Sequence, residues 1–255
     1  MVSLEETISR KEELNKKWFR ITIDNPNELK NTGLGFRFLE IDYAIKAIKD
    51  HKFLRAKQHF FNASLLDEIA VSKFNNNQFS YGLALTAYPL LSDNNELIKR
   101  YAKLRYQPWG KMKGMEENIK LGKSDIWCNT VQLFMDNDFS GVKENLDIIE
   151  ALTIPKLPKN QQELKIDYEF YKALLTKNKT KCEEVLEKLV SPKIHKKRNI
   201  NEIHAQYISL PALGYAKLAW RKGIEVDVNS PLVPKDLLPI QPLDYYEIPY
   251  DFLKE

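Results

Sequence analysis

Five short polar turns recur at nearly constant intervals along this chain, and this periodicity limits its possible folds more than any single motif does. The turns are 41 to 44 residues apart and lie near His51, Asn94, Asn137, Asn178 and Lys222. Each turn follows an apolar pattern of helical spacing, and the first four also precede another such pattern. Such an interval is typical of stacked helical hairpins, because no single hairpin can bury its apolar face alone. The sequence therefore predicts an all-α fold of stacked antiparallel helical hairpins, built on a degenerate repeat.

The chain is predicted to form one domain with three segments, since 255 residues suffice for a single sizeable core. The segments are an N-terminal helix and loop at 1–35, the helical hairpins at 36–223 and an extended proline-rich strap at 224–255. Ser3 and Glu6 have the spacing of a capping box, so the first helix is expected to run from there to about Trp18. The next stretch is expected to be a loop or a short strand, because a proline, Gly33 and Gly35 interrupt it.

The C-terminal strap combines five prolines with many large apolar side chains. The run I-E-V-D-V at its start alternates like a short strand. A free tail would leave the apolar side chains in water, at a cost of roughly 1.5–3 kcal/mol for each large one. We therefore expect the strap to pack along the outside of the last two hairpins. A partner-binding tail is the alternative.

Composition and charge argue against several classes of protein. The chain has 39 basic and 35 acidic residues, and a net charge of +4 is too balanced to indicate a nucleic-acid partner. No apolar run approaches the roughly 18–20 residues of a membrane span, and the charged N-terminus lacks the apolar centre of a signal peptide. Cys128 and Cys182 are too few for a disulfide framework and fit a reducing compartment. We expect a cytoplasmic protein without a membrane partner.

A search for catalytic, cofactor and metal motifs finds none. The four histidines have no metal-ligand spacing, and Gly33 and Gly35 form only part of a phosphate-binding fingerprint. Asp136 and Asp138 resemble a carboxylate pair, but they occupy a turn where helix capping explains both. The sequence predicts no cofactor and no enzymatic activity. A buried cluster around His204 or Cys128 beside a matching pocket would reopen the case for an enzyme.

The C-terminal third resembles a known family. The run H-A-Q-Y-I-S-L-P-A-L-G-Y-A-K-L-A-W-R-K-G-I-E-V is followed by S-P-L-V-P-K-D-L-L-P-I-Q-P-L, within residues 204–243. Both runs resemble the immunity protein 49 family of bacterial polymorphic-toxin systems. The resemblance implies a helical protein that binds a cognate protein toxin domain and blocks it, and it supplies no catalytic residues. It does not account for the extension at 237–255.

A candidate binding surface lies on the helices that precede three of the turns. Its aromatic members could anchor a protein partner, and its acidic members at the turns could steer a basic toxin. The candidates are Tyr81, Tyr88, Trp127, Tyr168 and Tyr171, with Asp93, Asp136 and Asp138 at the rim. The alternative is that the aromatic side chains are core and the acidic ones are helix caps.

Two functions fit these observations. The leading hypothesis is an immunity protein that neutralises its toxin by tight, stoichiometric binding. The alternative is a helical-repeat adaptor or regulator that recognises a peptide or a signalling protein, because the same architecture serves both. The neighbouring gene distinguishes them, since a large secreted toxin favours immunity and a regulatory protein or kinase favours the adaptor.

Overall fold

The chain folds into α-helices in a computed structural model that describes residues 3–81 and 84–254, with the side chains of 3–79 and 86–254. Within these residues there are twelve α-helices, short 3-10 turns and no β-strand; the only extended pairing there is an isolated bridge between Trp109 and Met112. The helices are α1 (Leu4–Asp24), α2 (Leu29–Lys49), α3 (Phe53–Ser72), α4 (Ala84–Ser92), α5 (Asn95–Ala102), α6 (Met115–Lys120), α7 (Asp125–Asp136), α8 (Phe139–Ile148), α9 (Lys165–Leu175), α10 (Lys179–Val190), α11 (Pro192–Arg198) and α12 (Leu210–Arg221). The predicted all-α class is confirmed. No helix in the described residues is long and apolar enough to cross a membrane.

Helices joined by short connections pack on each other. This holds for α2 with α3, α4 with α5, α7 with α8, and α9 with α10. Contacts between helices distant in sequence hold these pairs together, chiefly α12 against α4 and α5 against α7. One large core of buried apolar side chains runs through the assembly, and a smaller one lies between α2, α3 and the C-terminal segment.

The recurring polar turns contain residues with left-handed backbone conformation. The φ values are 55° at His51, 60° at Asp93, 60° at Asn137, 54° at Lys177 and 76° at Gly223. A left-handed residue commonly ends a helix, because it turns the chain away while satisfying the last carbonyl groups. In three of the turns the next residue, Asn94, Asp138 or Asn178, then caps the following helix with its side chain. That the hairpins are repeats of one another stays a prediction.

The N-terminal segment differs from the expected helix and loop. The capping box at Ser3 and Glu6 is present, but α1 continues past Trp18 to Asp24, and α2 begins at Leu29. Both Gly33 and Gly35 therefore lie inside a helix. A Cβ atom at Gly35 would lie 1.8 Å from the ring of Trp18, so this glycine permits α1 and α2 to approach closely.

The run I-E-V-D-V forms no strand, contrary to expectation. Its valines and isoleucine are buried, and its acidic residues face solvent. The backbone amides of Asp227 and Asn229 donate to the carboxylates of Glu183 and Glu187 on α10, at 2.8 and 3.0 Å. Because two glutamates one helical turn apart satisfy alternate amides, the segment needs no neighbouring strand.

The end of the chain packs on the first helices rather than only on the last two hairpins. Tyr246 and Phe252 contact the rings of Phe61 and Phe36, with ring centroids 4.7 and 5.4 Å apart. The hydroxyl of Tyr250 donates to Glu40 on α2 at 2.7 Å. The C-terminal segment therefore connects the last helices with the first.

Candidate functional site

Three of the candidate aromatic residues lie in the core. Tyr88, Trp127 and Tyr171 are buried and offer little or no surface to a partner. Tyr168 is partly exposed: its hydroxyl donates to Glu150 at 2.6 Å. The side chain of Tyr81 lies outside the described residues. At these three positions the aromatic side chains are therefore core residues, which was the alternative given by the sequence. Helices that are packed on several sides bury aromatic residues on more than one face.

Tyr171 belongs to a buried polar network. Its hydroxyl donates to the carbonyl of Trp127 at 3.0 Å and lies 2.9 Å from the hydroxyl of Tyr215. Tyr215 in turn donates to Asp167 at 2.5 Å, and Arg198 donates to both carboxylate oxygens of Asp167, at 2.7 and 2.9 Å. Burial, and then the charge of Asp167, raise the pKa of Tyr215 well above 10. The network ties α7, α9, α11 and α12 together.

Asp93 is neither a rim residue nor a helix cap. Its side chain is fully buried, and its carboxylate pairs with Lys217 at 2.7 Å, Lys57 at 2.8 Å and Arg221 at 3.1 Å. The backbone amide of Gln241 also donates to it, at 3.2 Å. A single carboxylate, at the turn between α4 and α5, thus pairs with three cations from α3 and α12.

Backbone carbonyls of the C-terminal segment complete the shell around these cations. Lys217 donates to Leu237, Leu238 and Pro239, at 2.8 to 3.2 Å. Lys57 donates to the carbonyl of Gln241 at 2.8 Å. Burial lowers the pKa of Lys217 to about 8. The cluster joins α3, α4, α12 and the tail, so its place in the molecule is structural.

Asp136 and Asp138 are exposed, as a partner-binding role requires. Asp138 also caps α8 by accepting from the amide of Gly141 at 2.9 Å, whereas Asp136 is the last residue of α7. Further exposed carboxylates follow three residues apart along α8 and its continuation, at Glu144, Asp147 and Glu150. Because residues three apart share one face of a helix, this face of α8 is acidic, although Lys222 donates to Asn137 in the turn before α8, at 2.6 Å.

A cleft of about 440 Å³ opens between α2, α4, α7, α11 and the start of α12. Its floor is apolar and includes two of the candidate aromatic residues, Tyr88 and Trp127. Its other apolar lining residues are Phe38, Ile41, Ile45, Leu164, Ile200, Ile208, Leu210 and Pro211. The cleft is within the range of about 300–1,000 Å³ that is usual for ligand pockets.

The charged groups in the walls of the cleft already have partners. Arg198 is paired with Asp167, as described above, and Lys197 donates to Glu163 at 2.6 Å. The ring of His204 lies 2.6 Å from a carboxylate oxygen of Asp42. The interior therefore presents apolar surface and neutralised charges rather than a free charge.

Sequence reasoning missed the cations that surround Asp93. Lys57, Lys217 and Arg221 were not singled out, since each is 36 to 128 positions away from Asp93. A weak signal was present, because a lysine in the apolar stretch of α12, L-P-A-L-G-Y-A-K-L-A-W, has no exposed face to occupy. A buried lysine needs a carboxylate partner.

The described side chains show neither a metal site nor a reactive cysteine. Among them, no group of three or more His, Cys, Asp and Glu residues could hold a metal ion. Cys128 and Cys182 are buried and form no disulfide bond, and burial raises the pKa of Cys182 to about 11. A thiol with a raised pKa is a poor nucleophile near neutral pH.

Comparison with known proteins gives one family. The family described as Immunity protein 49 matches residues 47–237, about three quarters of the chain. The matched part includes Asp93 and its three cations, the acidic surface of α8 and most of the cleft, and it ends at Leu237. Neither the curated proteins nor the solved structures that were compared gave a match.

Proposed function

Because the chain belongs to the immunity protein 49 family, we propose that it binds a cognate bacterial toxin domain and neutralises it by stoichiometric protein–protein interaction. The family match over residues 47–237 is the observation that carries this proposal. Inhibition then comes from occupying or distorting the toxin, and the immunity protein performs no reaction of its own. The protein acts in the cytoplasm of the cell that makes it.

The acidic surface around α8 is the part of the molecule that we propose contacts the toxin. It retains the members of the candidate surface that reach solvent, the exposed Asp136 and Asp138 and the partly exposed Tyr168. Toxin domains that attack nucleic acids are commonly basic, and a local acidic surface attracts such a domain even when the net charge is +4.

Co-expression tests the function directly. The toxin encoded next to this gene, produced alone, should stop growth, and this protein should restore growth and co-purify with the toxin in equal amounts. Failure either to restore growth or to co-purify would contradict the proposal. A complex with a regulatory protein instead of the toxin would favour the adaptor.

Reversing the charge at Asp136 and Asp138 tests the surface. The double variant Asp136→Lys/Asp138→Lys should bind the toxin at least about tenfold more weakly, a loss of roughly 1.4 kcal/mol, because attraction becomes repulsion. Calorimetric titration measures the affinity, and circular dichroism verifies the fold.

Two controls separate charge from stability. Asp136→Asn/Asp138→Asn keeps a side chain that caps α8, so a weaker complex there reports the charge alone. Asp236→Lys/Asp244→Lys makes the same change of charge at two exposed positions of the C-terminal segment. Equal binding by all three variants and the unaltered protein would place the toxin on another surface.

A further inference from the structure

Two apolar side chains stand at the cleft between α2, α7 and α11 without being covered. Ile200 is 95% exposed and follows α11, and Phe38 on α2 is 46% exposed. Both continue the apolar floor formed by Tyr88 and Trp127. A large apolar group that enters from solvent would therefore meet apolar side chains both at the mouth and at the floor of the cleft.

Four exposed lysines lie close in sequence to residues that line this cleft. Lys123, Lys159, Lys165 and Lys196 are exposed, and each is within two residues of a side chain that lines the cleft. In the described part of the chain none of them makes a side-chain hydrogen bond or an ion pair. Of the acidic residues equally near in sequence, Glu163 is paired with Lys197 and only Glu202 is exposed. The exposed charges nearest in sequence to the lining are therefore mostly positive, while those inside the cleft are paired.

The positive charges outside the cleft and the apolar surface inside it together limit what kind of molecule can bind there. A small anion has no unpaired cation to meet inside the cleft, because Lys197, Arg198 and His204 already contact carboxylates. A nucleic acid would be drawn to the lysines, but it would leave the apolar floor uncovered. A protein segment can satisfy both, with an apolar side chain in the cleft and acidic side chains on the lysines outside.

We propose that the cleft binds an acidic segment of the toxin that inserts one large aromatic or aliphatic side chain between Phe38 and Ile200. This inference rests on the proposed function and adds to it a second contact of opposite charge. An anchor side chain enclosed in a preformed pocket is the usual centre of a protein interface, and a rim of complementary charge speeds association.

Substitutions at the mouth of the cleft test this proposal without disturbing the core. Ile200→Asp places a negative charge where the acidic segment would lie, and its 95% exposure leaves folding unaffected. Lys123→Glu/Lys196→Glu reverses two charges of the rim. Each variant should bind the purified toxin domain, encoded next to this gene, at least about tenfold more weakly by calorimetric titration. The rim variant should also lose much of its dependence on salt.

Matched controls carry the same chemical changes on helices that do not line the cleft. Leu54→Asp alters an apolar side chain that is 63% exposed on α3. Lys73→Glu/Lys103→Glu reverses two exposed lysines at the ends of α3 and α5. Both controls should bind the toxin within about twofold of the unaltered protein. Amide hydrogen exchange should show protection at 159–164 and 197–201 only in the complex.

The outcomes separate this inference from the function on which it rests. Cleft variants that bind as tightly as the controls would overturn the inference and leave the immunity function standing. An unaltered protein that does not bind the toxin would overturn both. Protection of the cleft that grows with protein concentration, without toxin, would assign the cleft to a second copy of this chain and overturn the proposal.

Discussion

At the scale of single residues, Asp93 has more ion-pair partners than any other carboxylate among the described residues. Its buried carboxylate faces Lys57, Lys217 and Arg221, and the cations outnumber it three to one. Carbonyl groups of the C-terminal segment accept hydrogen bonds from Lys217 and Lys57, which compensates part of the excess positive charge. Breaking a buried ion pair by removing one partner costs more than the pair contributes, since it leaves the other charge without compensation.

We expect Asp93→Asn to destabilise the protein by about 3–5 kcal/mol, because it leaves three cations without their carboxylate. Asparagine tolerates the left-handed backbone at this position, so the change tests the charge and not the turn. Urea unfolding measures the loss. As a control, Asp50→Asn breaks an exposed pair with Lys46 and should cost less than about 1 kcal/mol. Equal losses in the two variants would contradict the role given to the cluster.

The sequence identified Asp93 as a turn residue but not as the centre of a cluster. Local spacing shows that a polar residue ends a helix, and this part of the prediction agrees with the φ of 60°. The partners of Asp93 come from α3 and α12, and no local pattern connects them. The same limit applies to Tyr88, Trp127 and Tyr171, because helical spacing places them on helices without showing how many sides of each helix are covered.

At the scale of helices, glycine can indicate either a break between helices or a close contact of two helices. The sequence placed Gly33 and Gly35 in a loop, whereas both lie in α2. Glycine is a poor helix former in isolation, so composition alone favours a break. The close approach of Trp18 to Gly35 supplies the missing reason, and it depends on the packing of α1 on α2.

The two glycines provide a matched pair of substitutions. Gly35→Ala should destabilise the protein, because the new methyl group would overlap the ring of Trp18; overpacking of this kind costs about 1–3 kcal/mol. Gly33→Ala meets its nearest side-chain atom at 3.5 Å, an ordinary contact, and should stabilise α2 by about 0.5–1 kcal/mol. Urea unfolding of both variants measures the difference. The same sign for both would show that helix propensity, not the contact with Trp18, decides the effect.

At the scale of the whole molecule, the modest net charge conceals two surfaces of opposite sign. The acidic side chains along α8 and the lysines around the cleft lie on different elements, and a net charge of +4 averages over them. The net charge therefore says little about the charge of a partner. It argues only against a protein that is basic over its whole surface and binds nucleic acid. A toxin domain that carries both a basic and an acidic region would be held in one orientation by these two surfaces.

The C-terminal segment closes the molecule by joining its last helices to its first. Residues 238–241 supply carbonyl groups to Lys217 and Lys57, and the aromatic residues beyond them cover Phe36 and Phe61. Both parts lie beyond the end of the family match at Leu237. Sequence composition predicted that the segment is packed, but the surface that it covers includes α2 and α3, at the opposite end of the chain.

Truncation after Leu237 should lower the melting temperature, because it uncovers the charged cluster and the smaller core together. A loss of about 5 kcal/mol in a chain of this size corresponds to roughly 10–20 °C. Truncation after Leu243 keeps the carbonyl groups at Lys217 and Lys57 and removes the aromatic contacts, so its melting temperature should fall between the two. Truncation after Leu253 removes the exposed Lys254 together with Glu255 and should leave the melting temperature unchanged. Uncovering this much apolar surface in water cannot leave the stability unchanged. If calorimetry gives the longest deletion the same melting temperature as the full chain, the segment does not hold the two ends of the molecule together.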